Sequence, residues 1–277
     1  ATSAQARKTV EDFNASIVVE LTATPKAVNA KLGNWRPNIL ARASGDDLWK
    51  EHMIKLPLNI ATSGQKNWKD VLTQARDKRK ALAAKAAEYQ SLAGPDRHIR
   101  PIVLVQVEFT GKKLTQKEIH ADHIKDYLVQ RLSIPAEAVR IKSAENDELD
   151  DIENLMDEGC PVEWIITKSA LQEGWDCPFA YILVSLSNVG SKLGLTQIVG
   201  RVLRQPYQER TPFSELNESY IYCLHHRAGE IARQVKQALE DEGYEGDTEG
   251  LVVDSTHDTG TRRDRTVRMR PEFAVFY

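Results

Sequence analysis

Gln197, Gly200, Arg201 and Arg204 occur in QIVGRVLRQP, residues 197–206, at spacings of three and four. On a helix that spacing puts all four on one face, with the two guanidinium groups adjacent. A guanidinium is a planar fork of N–H donors that stays charged at any physiological pH, so two of them beside a small glycine surface suit a chain of phosphates. The intervening Ile198, Val199, Val202 and Leu203 make the helix substantially buried, and buried arginines need anionic partners. Taken in isolation, the same pattern also fits a solvated basic face. A second segment, ALQEGWDCP at 170–178, lies between two apolar runs. In a parallel sheet the loop after a strand's carboxyl end is where ligands bind. Gly174 allows close backbone approach there and Asp176 offers an acceptor, although a tight turn with a capping aspartate accounts for the same residues.

Other chemistry-bearing residues point less far. His120 and His123 in HADH lie on a charged helix without further ligands, so no metal site is expected. Cys177 stands beside Asp176 without an activating base and is not read as a nucleophile. His225 and His226 lie at a strand end, as structural or surface residues. Trp175 reads as core, with base stacking as the alternative. The basic run RRDRTVRMR at 262–270 fits either phosphate contacts or a solvated strand.

The elements that must position these residues follow from hydrophobic patterning. SIVVEL at 16–21 reads as a buried parallel strand followed by the turn TATP, and HMIKLPLNI at 52–60 as an extended run that Pro57 confines to an edge or a strand end. Residues 67–92, rich in Ala, Lys, Arg and Gln, form the clearest helix, closed by AGPD. Strand and helix then alternate: a strand at 100–109, a helix at 116–132, a short strand at 139–141, a helix at 147–156 and a strand at 162–167. A strand at 180–186, a helix at 191–205, a strand at 219–224 and a helix at 228–242 complete the series. That alternation implies right-handed crossovers and a parallel sheet covered on both faces. The tail, 243–277, shows little periodicity, and no internal repeat is present.

Composition bounds the class. The 277 residues are 41% hydrophobic and 28% charged, as in an ordinary globular chain. No run approaches the roughly 18 apolar residues of a membrane span, and ATSAQARKTVED lacks the order of a signal peptide, so a cytoplasmic protein without membrane association is expected. Cys160, Cys177 and Cys223 are odd in number and widely spaced, which offers neither a disulfide framework nor a metal knuckle. A net charge of -3 means that contact with nucleic acid must come from a local basic surface.

In order along the chain, TATP after an apolar strand, the apolar strand at 101–107, GWD at 174–176 and QxxGRxxR at 197–204 resemble the later motifs of superfamily two helicases. EGWDCP followed by QIVGRVLRQP resembles most the ATPase-translocase part of the restriction subunit of type III restriction enzymes. The resemblance spans about residues 16–224 and implies a RecA-like fold, ATP with magnesium as cofactors, duplex DNA as partner and an associated methyltransferase and specificity subunit. By the same resemblance Thr22, Ala23 and Thr24 couple hydrolysis to domain movement. Gly174, Asp176 and Gly200 line the nucleotide cleft, and Lys168 and Ser169 meet the nucleic-acid backbone. Arg201 and Arg204 are arginine fingers, with Gln197 in the polar network beside them. Lys168 departs from the pattern, since many relatives carry threonine there.

The resemblance also sets expectations about what is not here. No GxxxxGK followed by Ser or Thr occurs, and the acidic DELD at 147–150 follows KSAEN rather than an apolar strand. It reads as the start of a surface helix, favoured by the helix dipole. The phosphate loop and the magnesium-binding acids are accordingly expected ahead of residue 1, in the missing first part of the motor. The organisation expected is the end of a first RecA-like domain at 1–60, a helical accessory segment at 61–97, a second RecA-like domain at 98–226 and an extension at 227–277. Two other readings stay open: a different superfamily two DNA or RNA helicase without nuclease activity, and a nucleic-acid-binding scaffold that does not hydrolyse ATP.

Overall fold

A computed structural model of the chain describes residues 4–19, 39–41, 43–63, 67–107, 120–143, 146–167, 176–186, 199–224, 233, 236–237 and 252–254. The chain divides into two compact units, Ala1–Ala43 and Ser44–Tyr277. In the first, α1 (Ala4–Asp12) is followed by exposed residues. Ile17, Val18 and Val19, expected in a buried strand, form none and are 81%, 55% and 72% exposed. β-branched residues make a strand only against a partner, and residues 16–19 lie in no strand among the described residues.

Among the described residues the second unit is organised by seven strands in the order β3-β4-β2-β5-β6-β1-β7, every pairing within this sheet parallel. They are β1 (Leu58–Ser63), β2 (Ile102–Gln106), β3 (Val139–Lys142), β4 (Trp164–Thr167), β5 (Ala180–Ser185), β6 (Ser219–Leu224) and β7 (Val252–Asp254). The continuous apolar runs of β2, β4 and β5 are buried at every position, whereas β3, at an edge, alternates. Side chains buried on both sides require cover on both faces. This is the parallel α/β sheet that the alternation of strands and helices implied, the sheet type expected of the RecA-like class that the sequence resembles. The connections from β1 to β2 and from β2 to β3 run in one direction across the sheet, and those from β3 through β6 run in the other. Right-handed crossovers therefore put α3 (Trp68–Ala93) and α4 (Ala121–Gln130) on the same face. Trp68 and Tyr127, in an edge-on ring contact at 5.1 Å, join α3 to α4 directly. Among the described residues no helix is long and apolar enough to cross a membrane.

The helix expected at 67–92 is α3. It does not stand apart from the sheet: Val71, Leu72, Ala75, Leu82, Ala86 and Tyr89 are buried, and the helix packs against β1, β2, β5 and β6. Asn67 caps it, its side chain accepting from Lys69 N at 3.1 Å. Asn67→Ala is expected to destabilise the chain by about 1 kcal/mol, read as a lower urea midpoint at unchanged slope. A second cap, a reciprocal box between Ser44 and Asp47, starts α2 (Gly45–Lys50), an element the hydrophobic pattern did not indicate.

The helix expected at 147–156 does not form; the segment is a series of turns. Its polar groups are engaged elsewhere. Asp147 Oδ1 accepts from Leu149 N at 3.1 Å and Asn154 Oδ1 from Met156 N at 2.9 Å, local bonds that compete with a helical ladder. Arg100, from the strand-entry segment before β2, takes the carbonyls of Leu155, Asp157 and Val162. Glu148 is drawn to β3 and α4, accepting from Ile141 N at 2.8 Å and from Lys125 Nζ at 2.9 and 2.7 Å. Burial by itself would raise the Glu148 carboxyl, but these donors outweigh it and hold the group below its ordinary value of 4.5. A carboxyl depressed in the folded state stabilises fully above its unfolded value and loses that contribution as pH falls through the folded one. Glu148→Gln is therefore expected to flatten the loss of stability on acidification between about pH 5 and 3, measured as urea midpoints across that window.

Candidate functional site

The QIVGRVLRQP segment is helical at 199–202 in its described part and turns at Leu203, and Arg204 is already extended, in an antiparallel bridge with Ile54. The helix expected to run through Gln205 thus stops early. Its closing carbonyls, which have no partner inside a helix, are taken by tertiary donors: Val202 O by Ser219 Oγ at 3.0 Å and Leu203 O by Lys55 N at 2.5 Å. Gln205 N continues the pairing to Met53 O at 2.9 Å. Val199, Val202 and Leu203 are buried, as the pattern implied, while Arg201 is half-buried and Arg204 exposed. Gly200 is exposed, and among the described residues a Cβ placed on it would meet nothing within 4 Å.

The anionic partner is Asp176. Its Oδ2 forms an ion pair with Arg204 Nη1, with the two side chains 53% and 47% exposed. Burial lowers the Arg201 pKa and the neighbouring Arg204 cation lowers it further, while Asp176 opposes both. Arg201, Arg204 and Asp176 therefore share one electrostatic neighbourhood. An ion pair this exposed contributes about 0–1 kcal/mol, so a stronger anion reaching Arg204 displaces Asp176 at little cost.

Asp176 lies just ahead of β5, and Arg204 pairs just ahead of β1. The pair stands at the amino-terminal edge of the sheet. The carboxyl-edge position expected for the GWD loop does not apply to its aspartate, because the loop crosses from the end of β4 to the start of β5 and Asp176 belongs to its far end. Behind it Cys177 is buried and its thiol is pushed up to about 11 by that burial, which suits a packing residue and not a nucleophile.

Beneath this loop sits a residue that sequence reasoning passed over. Lys55 is fully buried, and burial holds its ammonium well below the ordinary lysine value, with the Cys177 thiol opposing. Its place in HMIKLP, between Ile54 and Leu56, reads as the outward position of an alternating strand. At the opposite edge, Gln106, Thr167 and Ser185 end β2, β4 and β5 at matched register. Gln106 Oε1 and Ser185 Oγ are buried there without a hydrogen-bond partner. Buried polar atoms of this kind call for a specific explanation, and no spacing in the sequence signals them.

Gln197, Gly174, Thr22, Ala23, Thr24, Lys168 and Ser169 lie outside the described residues, as do Trp175, His225, His226 and the basic run at 262–270. His120 and His123 meet in a ring contact at 5.3 Å. Among the described residues no group of three His, Cys, Asp or Glu side chains converges as a metal site. Asp176, the acid beside the arginines, pairs with Arg204.

No protein-family model matches the chain, and no curated protein matches it. Among solved structures, a variant C-terminal domain of S. cerevisiae Dbp5 bound to a variant Gle1 and IP6 is similar over 73% of this chain and 90% of that one, at 13% identity and a TM-score of 0.39. The ATP-dependent type ISP restriction-modification enzyme LlaBIII, bound to DNA, is similar over 79% of this chain at 12% identity and a TM-score of 0.42, and the chain spans 17% of that enzyme.

Proposed function

We propose that the chain is part of an ATP-dependent DNA translocase of the superfamily two type, belonging to the restriction subunit of a cytoplasmic type III restriction system. The observation that carries this reading is the group formed by Arg201, Arg204 and Asp176: two guanidinium forks at the amino-terminal edge of the parallel sheet, one of them held by an exposed and easily exchanged carboxylate. In that reading the γ-phosphate of ATP, bound by the other half of the motor, replaces Asp176 as the partner of Arg204. As a water oxygen bonds to the γ-phosphorus and the bond to the β,γ-bridging oxygen breaks, negative charge spreads over the transferring oxygens. The arginine N–H groups stabilise that charge as it develops. Closure and release of the two halves around the nucleotide then move the protein along duplex DNA.

The remaining assignments rest on the sequence resemblance. Gly174 and Gly200 line the cleft, Gln197 joins its polar network, and Thr22, Ala23 and Thr24 couple it to movement. Lys168 and Ser169, which follow Thr167 at the carboxyl edge, meet the DNA backbone. A methyltransferase and specificity subunit completes the assembly. In this reading the magnesium ligands come from outside this chain.

A second reading, a nucleic-acid-binding scaffold of the same fold without hydrolysis, draws on the same ion pair, since Arg204 already has an anionic partner. DNA-stimulated ATP turnover of the complete motor protein, compared with its Arg201→Ala and Arg204→Ala variants, separates the two. Turnover that both variants retain at the parental rate rejects the arginine-finger reading.

A further inference from the structure

We propose that Lys55 is the positioning residue of the Arg204–Asp176 pair, fastening from beneath the two backbone segments that carry it; this rests on reading that pair as the phosphate-facing site. The side chain of Lys55 is 0% exposed. Its Nζ donates to Pro178 O at 3.0 Å and to Ala180 O at 2.8 Å, and the face of the Tyr181 ring lies 3.8 Å away. Tyr181 is fixed in turn by its hydroxyl, which donates to Leu216 O at 3.1 Å. The main chain of Lys55 holds the other segment. Its N–H donates to Leu203 O, and Ser219 Oγ bridges its carbonyl, at 3.5 Å, to Val202 O, at 3.0 Å. The neighbouring Ile54 bridges Arg204 itself.

One residue thus grips the backbone two positions after Asp176 by its side chain and the backbone one position before Arg204 by its main chain. An apolar side chain of similar length would fill this space without the desolvation that a buried amine brings. A lysine adds two strong hydrogen bonds to irregular backbone, at carbonyls that do not share a regular ladder. Catalysis by an arginine fork depends on placement, and a shift of about 1 Å costs roughly 10²-fold in rate. Loosening the Asp176 loop against the Arg204 segment therefore acts on turnover more than on nucleotide affinity.

The test uses the complete motor protein. Lys55→Met is expected to lower kcat for ATP roughly 10- to 100-fold while KM for ATP stays within about two-fold, because the binding half of the cleft is untouched. In an Arg204→Ala background the same substitution is expected to lower kcat no further, since it acts through the residue already removed. Lys55→Gln, which keeps N–H donors for one of the two carbonyls, is expected to fall between parent and Lys55→Met, and it carries the test if Lys55→Met does not fold. If Arg204→Ala itself turns over at the parental rate, the phosphate-facing reading fails. If Arg204→Ala is slow but the Lys55 variants keep the parental kcat, or lose as much again on the Arg204→Ala background, the positioning role is overturned and the phosphate-facing reading stands.

Discussion

Replacing Arg204 by alanine in the complete motor is expected to lower kcat for ATP hydrolysis by about 10³- to 10⁵-fold, the range known for arginine fingers. Affinity for ATP is expected to change much less than kcat, because on the proposed reading most of the binding contacts lie in the other half of the motor and Arg204 gains most as charge redistributes during transfer. Arg201→Ala is expected to act in the same direction. Its guanidinium is the more buried of the two and shares the field of Arg204 and Asp176, so its loss changes the potential at Arg204 as well as removing a donor. Arg204→Lys restores the charge but not the fork, and a compact ammonium cannot donate in parallel to two phosphate oxygens. It is expected to recover only a small part of the rate. Asp176→Asn removes the competing carboxylate and leaves an amide with both donor and acceptor character, so its effect on kcat is expected to be far smaller than that of either arginine.

The largest effect on stability is expected at Arg100. This guanidinium is 8% exposed and donates from Nε to Val162 O at 2.9 Å, from Nη1 to Asp157 O at 2.8 Å and from Nη2 to Leu155 O. It closes the turns between β3 and β4 over the entry to β2. Arg100→Leu leaves three carbonyls without their donor, that of Val162 buried and those of Leu155 and Asp157 partly buried, and a buried unpaired carbonyl costs on the order of 1–3 kcal/mol. Because the turns relax together these costs do not add fully, and a loss of about 3–5 kcal/mol is expected, read from urea unfolding of the 277-residue chain. Arg100→Lys keeps the charge with a different donor geometry and is expected to recover less than half of that. A loss below about 1 kcal/mol for Arg100→Leu contradicts the view that these carbonyls depend on it.

What was legible in the sequence follows from how local the cause is. β2, β4, β5 and β6 are apolar runs between turn residues, and their burial on both faces is written in their composition. α3 announces itself by helix-forming residues and a closing AGPD. The helix expected at 147–156 fails for a non-local reason: its carbonyls belong to Arg100 and its Glu148 belongs to Lys125 and Ile141. β7 is three residues of a tail without periodicity, made into a strand by pairing with β1. At the site, the spacing of Arg201 and Arg204 implied adjacent guanidinium groups and gave no sign of the pairing with Asp176. It pointed to one continuous helical face, whereas Arg204 is held in a strand-like bridge by Ile54. Lys55 was invisible because a lysine between two apolar residues looks like the outward member of a strand. Only the placement of Pro178 and Ala180 carbonyls beneath it shows that it points inward.

The central claim, that Arg204 serves the transferring phosphoryl group and not the resting protein, is tested most directly by comparing ligands that differ only in resembling that state. Equilibrium binding of ADP and of ADP with aluminium fluoride, which mimics the phosphoryl group in transfer, would be measured on the complete motor and its Arg204→Ala variant. The account predicts that Arg204→Ala binds ADP as the parent does but loses most of the additional affinity for the aluminium fluoride complex, in proportion to its loss of kcat. Equal affinity of parent and variant for the aluminium fluoride complex would contradict it and leave Arg204 as no more than the structural partner of Asp176.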